Sequence, residues 1–257
     1  MKTVILCGIL ISLVHITNDT TSAHPNESDE LMVRAARNFL AALTSEQRKQ
    51  SVFPFSEEEW GKWHFIPMRG RIGLPYSQME SGQIRLLADA LVASGLSRSG
   101  YYKTKTIMSL EQLLLELERA SGRESNILEL LNPDLYYFSI YGDPTSEELW
   151  GWRVEGHHIS FHFTVDKGSI RATTPMFMGA HPHLVLQGPQ KGLRVLDKEE
   201  DKARALLNSL DAKQREKAIL APEPPPDIFT MNARAVEFSS IPAKGLRRSE
   251  LNAGQKE

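Results

Sequence analysis

The stretch Trp150-Gly-Trp-Arg-Val-Glu-Gly-His-His-Ile-Ser-Phe-His-Phe-Thr-Val165 carries the strongest strand pattern in the sequence. Its apolar residues occupy every second position, as in a strand whose successive side chains point to opposite faces of a sheet. They have even numbers up to Val154 and odd numbers from Ile159 onward, so one residue must be absorbed near Gly156. Either a β-bulge or a tight turn satisfies this requirement. With a bulge, one polar face would carry Arg153, Glu155, His158, Ser160 and His162.

Further strand patterns flank this stretch on both sides. Residues 136–141 alternate as a strand, and residues 142–146 form a turn that leads into the central stretch. Asp166-Lys-Gly168 is a hairpin turn, and a strand over 169–177 follows it. Strands joined by such short links predict an antiparallel β-meander of three to four strands. The fold class is therefore α+β, with this meander packed against several α-helices in a single domain.

Apolar residues at helical spacing predict the helices. The predicted helices cover about 28–43, 80–94, 105–120, 125–131, 197–210 and 211–220. In the helix over 105–120, the exposed face is expected to carry Glu111, Glu116 and Glu118. A capping-box pattern recurs at 43–48, 210–215 and 251–256, and more loosely at 79–83. We interpret these four segments as helix starts without a chemical role.

The first residues of the chain are typical of a secretory signal. Lys2 precedes an apolar run over 4–14, whose length of about eleven residues suits a signal core, and Thr21-Ser-Ala23 offers small residues for cleavage. A membrane anchor would need about 20 apolar residues. We therefore expect a signal peptide at 1–23 and a secreted, extracellular protein, or a periplasmic one in a bacterium. Its removal would take away Cys7, the only cysteine of the chain.

Residues 24–221 are expected to form the single α+β domain. The segment 222–257 begins with Pro222, Pro224, Pro225 and Pro226 and carries little periodicity, so it is predicted to be extended, as a strap or a linker that stops before a final helix. The chain has a net charge of -2 with mixed signs, which gives no reason to expect a nucleic-acid partner. No second apolar run is long enough to span a membrane.

The chain resembles the family of domain-of-unknown-function number 3500 over nearly all of residues 24–257. The most specific segment of this resemblance is 150–158. The others are Arg71-Ile-Gly-Leu-Pro75, Ser94-Gly-Leu96, Gly100-Tyr101, Thr174-Pro175, Gly179-Ala180, Pro182, Gly192-Leu-Arg-Val-Leu196, Glu199-Glu-Asp201 and 211–215. The resemblance implies no reaction. It also implies that His162 and His181 are weaker candidates than His157 and His158, because the family pattern has Asn at the first position and Asn or Glu at the second.

Five histidines lie between positions 157 and 183, and they define the candidate site. His157, His158 and His181 are the candidate ligands of a divalent transition metal such as zinc, although none of the standard zinc spacings is present. His157, His158 and Glu155 are the candidate catalytic residues. Arg69 and Arg71 lie in a Gly- and Pro-rich loop and are the candidate binding residues for an anionic small-molecule substrate.

Two functions of different classes remain open at this point. In the first, the protein is a secreted metal-dependent enzyme that resembles a hydrolase, in which the metal activates water. In the second, it is a secreted ligand-binding or structural module, in which the histidines make structural hydrogen bonds. The sequence does not indicate an oligomeric state.

Overall fold

The computed structural model describes residues 27–122, 126–146, 148–224, 226–228, 231–233 and 244–257. Its helices are α1 (Glu27–Ala42), α2 (Ser45–Ser51), α3 (Glu57–Trp60), α4 (Gly82–Ser94), α5 (Arg98–Ala120), α6 (Asp197–Ser209), α7 (Ala212–Ala218) and α8 (Ala253–Lys256). Its strands are β1 (Val52–Phe53), β2 (Leu74–Pro75), β3 (Tyr137–Tyr141), β4 (Trp150–Gly156), β5 (Ile159–Asp166), β6 (Ser169–Ala172) and β7 (Met176–Met178). The α+β class is confirmed.

Three antiparallel strands, β3, β4 and β5, form the centre of one seven-stranded sheet. The outer edge of β3 pairs with β1 in parallel and with β2 antiparallel. The outer edge of β5 pairs with β6 and, further along, with β7. The sheet is therefore mixed, and the prediction of a simple antiparallel meander of three to four strands was wrong in this respect.

The physical reason is that two short segments of the aromatic 52–76 region complete the sheet. β1 and β2 are only two residues long, too short to produce a recognisable alternation in the sequence. The predicted strand over 169–177 is divided into β6 and β7 because Pro175, which lacks an N–H, interrupts the ladder. There the carbonyl of Pro175 accepts a hydrogen bond from the His162 N–H at 2.9 Å.

One face of the sheet packs against α1, α4 and α5 and forms the apolar core. The even-numbered apolar residues of β4 and the odd-numbered residues of β5 point to this side, as the alternation predicts. The Trp152 and Phe163 rings stack across the two strands, with centroids 4.6 Å apart. The largest fully buried side chains are Trp150, Trp152, Tyr136, Tyr141, Phe39, Phe138, Phe161, Phe163, Met32, Leu74, Met79 and Leu91.

The opposite face of the sheet is polar and is covered by the 52–73 segment. It buries Arg153, Glu155, Ser160 and His162, which lie in register as Arg153 opposite His162 and Glu155 opposite Ser160. Four members of the predicted polar face are therefore present. His158 is not among them, because it lies in the turn that joins β4 to β5.

All four predicted helix starts are confirmed. Thr44, Asp211 and Asn252 form capping boxes at the starts of α2, α7 and α8, and the Ser81 side chain caps α4. The predicted signal peptide lies outside the described residues. Within the described ranges, no helix combines the length and the apolar character needed to cross a membrane.

Candidate metal centre

The turn between β4 and β5 consists of His157 and His158, since Gly156 pairs with Ile159 across it. Of the two alternatives for absorbing the register change, the structure therefore has the tight turn. Gly156 is required here because a Cβ at this position would lie 2.4 Å from the Tyr136 ring. His158 has a φ of 64°, a left-handed conformation that costs a non-glycine residue about 1–3 kcal/mol and persists only where neighbours hold it.

Three hydrogen bonds from separate segments hold this turn in place. The His158 N–H donates to the Phe65 carbonyl at 2.8 Å, and the His158 carbonyl accepts from the Gly179 N–H at 2.8 Å. The Tyr136 hydroxyl donates to the His157 carbonyl at 2.7 Å. The two imidazoles are therefore presented on a fixed backbone, and their rings stack with centroids 3.7 Å apart.

Glu111, on α5, completes a cluster with these two histidines. Its carboxylate oxygen Oε1 lies 2.9 Å from Nδ1 of His157. One candidate ligand atom from each of Glu111, His157 and His158 lies within 4.8 Å of the other two. Glu111 is buried, whereas both histidines are partly exposed. The cluster therefore has a closed side at α5 and an open side at the hairpin tip.

Burial dominates the electrostatics of this cluster. It raises the pKa of Glu111 to about 8, with a small opposing effect of His181. It lowers the pKa of His157 to about 4, and nearby His181 and Arg71 lower it further. Burial and the neighbouring His157 and His181 lower the pKa of His158 to about 3. Both imidazoles are thus neutral at physiological pH, which is the state that binds a metal.

His181, the third predicted metal ligand, lies beside this cluster rather than inside it. Its ring is nearly parallel to that of His158, with an interplanar angle of 14° and a centroid distance of 6.3 Å. The residue is exposed, as is His183 two positions later. His181 therefore borders the open side of the cluster.

Glu155, the predicted catalytic carboxylate, is not brought together with the two histidines. It lies on the polar face of the sheet and forms a buried ion pair with Arg71. Its Oε2 accepts hydrogen bonds from the His64 N–H at 2.9 Å and from the Ser160 hydroxyl at 3.1 Å. Burial opposes ionisation of this carboxyl. Its polar neighbours His162, Arg71, Arg153 and the His64 N–H outweigh burial and lower its pKa.

The two predicted substrate-binding arginines differ in their surroundings. The guanidinium of Arg71 is buried, and besides Glu155 it donates to the carbonyls of His64 and Ile66. Arg69 is exposed and forms an ion pair with Glu129. Within the part of the chain that the structure describes, neither Arg69 nor Arg71 donates a hydrogen bond to His157 or His158.

Glu111 is the site residue that the sequence reasoning missed, and its predicted place on the exposed face of the helix was wrong. Its side chain is 2% exposed. The sequence spacing indicates that Glu111 is buried. It lies four residues after Ile107 and three before Leu114, within the buried stripe of α5. A carboxylate inside an apolar stripe requires a partner, and His157 is that partner.

The fold and the site define an α+β protein whose central hairpin carries two imidazoles against a buried carboxylate. The chain belongs to the family described as "Protein of unknown function (DUF3500)", whose model matches residues 25–257. This match confirms the resemblance found from the sequence motifs. No curated protein and no solved structure matches the chain.

Proposed function

We propose that Glu111, His157 and His158 bind a divalent transition metal such as zinc, and that the protein is a metal-dependent enzyme of the hydrolase type. The observation that carries this proposal is the approach of three candidate ligand atoms to within 4.8 Å of one another. Ligands around a tetrahedral zinc are roughly 3.3 Å apart, so the stacked rings of His157 and His158 would have to rotate for their nitrogens to converge on one ion. Imidazole nitrogen and carboxylate oxygen are the donors that zinc accepts.

The number of ligands supports a catalytic metal over a purely structural one. Structural zinc sites have four protein ligands, whereas catalytic sites have three and leave one position for water. Here two histidines and one glutamate are available, and the open side of the cluster faces His181. Held by Glu111, His157 and His158, such a metal would supply activation of water for hydrolysis at neutral pH.

The chain's own residues supply the rest of the site. Burial raises the pKa of Glu111 to about 8, so a bound metal would displace its proton, and the resulting carboxylate would offset part of the metal's charge from the buried side. The fixed turn orients the two imidazoles, and His181 stands where it can contact a substrate or a leaving group. We further propose that the protein is secreted, on the basis of Lys2, the apolar run over 4–14 and the small residues at 21–23.

A structural role for the cluster is the second candidate, and the 2.9 Å separation of His157 Nδ1 from Glu111 Oε1 favours it. At this distance one proton shared between the buried Glu111 and the partly exposed His157 satisfies both groups without a metal. The pair would then connect α5 to the tip of the hairpin, and the protein would be a binding or structural module.

Metal analysis of the purified protein distinguishes these candidates. The wild-type chain and the exposed-residue controls Glu116→Gln and His183→Ala should each bind about one zinc per chain, whereas Glu111→Gln, His157→Ala and His158→Ala should bind none. Glu111→Gln is the decisive variant because an amide keeps the size of the side chain and can still hydrogen-bond to His157, but it has no carboxylate to bind a metal. Wild-type protein that folds but takes up no zinc would support the structural candidate. If the protein binds zinc but shows no ester or phosphodiester hydrolysis that a chelator abolishes, the proposed metal site would stand and the proposed hydrolase activity would be excluded.

A further inference from the structure

A cavity of about 420 Å³ lies on the polar face of the sheet, between β4 and the 59–72 segment. Its lining combines charged side chains of both signs with apolar ones. Three cationic members, Lys62, Arg71 and Arg153, face two carboxylates, Glu59 and Glu155, and the apolar members include Trp63, Met68 and Ile72. The volume falls in the range of roughly 300–1,000 Å³ that is typical of small-molecule sites.

Arg153 is the residue in this cavity whose charge is least compensated. Its side chain is 4% exposed, and its guanidinium donates to the Lys62 carbonyl at 2.7 Å. Among the described residues, the carboxylate oxygen nearest to it belongs to Glu59, at 3.7 Å, beyond hydrogen-bonding distance. Glu59 is 31% exposed and is shared with Lys62, whose Nζ lies 3.0 Å away.

Glu155 attracts Arg153 at longer range, since Arg153 helps to lower the pKa of this carboxyl, but it forms no ion pair with it among the described residues. Its two oxygens are engaged by Arg71, by the His64 N–H and by the Ser160 hydroxyl. The Tyr141 ring, whose centroid is 5.3 Å from the guanidinium carbon, offers only a weak attraction. A buried cation without a close counter-ion is unfavourable unless an anion pairs with it. Guanidinium groups pair best with carboxylates and phosphates, through two parallel hydrogen bonds.

We propose that this cavity binds a small organic anion, with its carboxylate paired to Arg153 and its apolar part against Trp63 and Met68. The site is distinct from the Glu111–His157–His158 cluster and does not depend on a metal. Arg71 forms part of the wall, but its guanidinium is already engaged by Glu155 and two carbonyls. Arg153 therefore takes the anion-binding role that the sequence assigned to Arg69 and Arg71.

Calorimetric titration with benzoate tests this proposal, with inorganic phosphate as the compact comparison anion and sodium chloride as the ionic-strength control. The Glu111→Gln variant should bind benzoate as the wild type does, which separates this site from the metal cluster. Arg153→Lys keeps the charge but loses the planar fork, and we expect affinity to fall about tenfold. Arg153→Met should abolish binding, while the exposed control Arg69→Met should leave it unchanged.

Glu59→Gln makes the test independent of misfolding, because it should increase affinity. It removes the carboxylate that competes for Arg153, so benzoate should bind about five- to tenfold more tightly. Glu58→Gln is its matched control, since Glu58 lies near Lys62 and is 80% exposed. The proposal would be overturned by any of three results: no saturable benzoate binding to the wild type at tens of millimolar, phosphate binding without benzoate binding, or equal affinities for Glu59→Gln and the wild type.

Discussion

Glu111 and His157 are 46 positions apart in the sequence, yet Oε1 of the first lies 2.9 Å from Nδ1 of the second. This contact joins the middle of α5 to the tip of the central hairpin. A buried carboxylate and an imidazole at this distance share a proton in the absence of a metal and become metal ligands in its presence. The metal proposal depends on this pair.

Zinc should stabilise the wild-type protein against unfolding, because a ligand that binds only the native state raises its stability. At a free zinc concentration of 100 times the dissociation constant, the gain is about 2.7 kcal/mol. Urea unfolding with and without zinc measures it. The gain should disappear in Glu111→Gln and persist in Glu116→Gln, so an equal gain in both variants would contradict the assignment of Glu111.

The buried ion pair between Arg71 and Glu155 should be important for stability. Glu155→Gln leaves the guanidinium without its counter-charge, and we expect a loss of about 3–5 kcal/mol in the free energy of unfolding. Glu129→Gln breaks the exposed pair with Arg69 and should cost less than about 1 kcal/mol. Urea denaturation of both variants gives the comparison. Similar losses in the two would show that the Glu155 pair is not buried as described.

Stability should fall as the pH drops below about 6.5, partly through His162. Burial lowers the pKa of this imidazole below its usual value of about 6.5, an effect that its neighbour Glu155 only partly offsets. The unfolded chain therefore takes up the proton first, so the stabilising contribution is complete above pH 6.5 and is lost as the pH falls toward the folded pKa. His162→Asn should reduce the slope by up to about 1.4 kcal/mol per pH unit. Urea unfolding midpoints measured between about pH 4 and 7 give the slopes. If the midpoints of the wild type and of His162→Asn fall equally as the pH drops, His162 does not contribute to the pH dependence of stability.

Gly156→Ala should destabilise the protein by about 1–3 kcal/mol, because the added Cβ would meet the Tyr136 ring at 2.4 Å. The displaced hairpin would also weaken zinc binding. Gly82→Ala is the matched control, since a Cβ in the first turn of α4 has no atom within 4 Å and should have little effect or a small stabilising one. Thermal unfolding and zinc titration of both variants provide the measurement, and equal behaviour would refute the close contact.

The central strands could be predicted because their side chains alternate strictly between an apolar core and a polar face. The change of apolar parity at Gly156 also located the turn, although the pattern alone did not distinguish a turn from a bulge. The edge strands were missed because β1 and β2 contribute only two residues each, and their pairing depends on tertiary contacts.

The candidate site was predicted in part. The cluster of five histidines between 157 and 183 points to His157 and His158, and the structure brings these two together. Glu155 was grouped with them because it is near in sequence, but it points to the opposite face of the sheet and pairs with Arg71. Glu111 comes from a distant helix, and sequence proximity gives no indication of that contact.

A crystal structure of the protein grown with zinc, with anomalous data collected at the zinc edge, tests the central claim most directly. We predict one anomalous peak at about 2 Å from a carboxylate oxygen of Glu111 and from one ring nitrogen each of His157 and His158. A structure without that peak, in which His157 still hydrogen-bonds to Glu111, would contradict the metal centre.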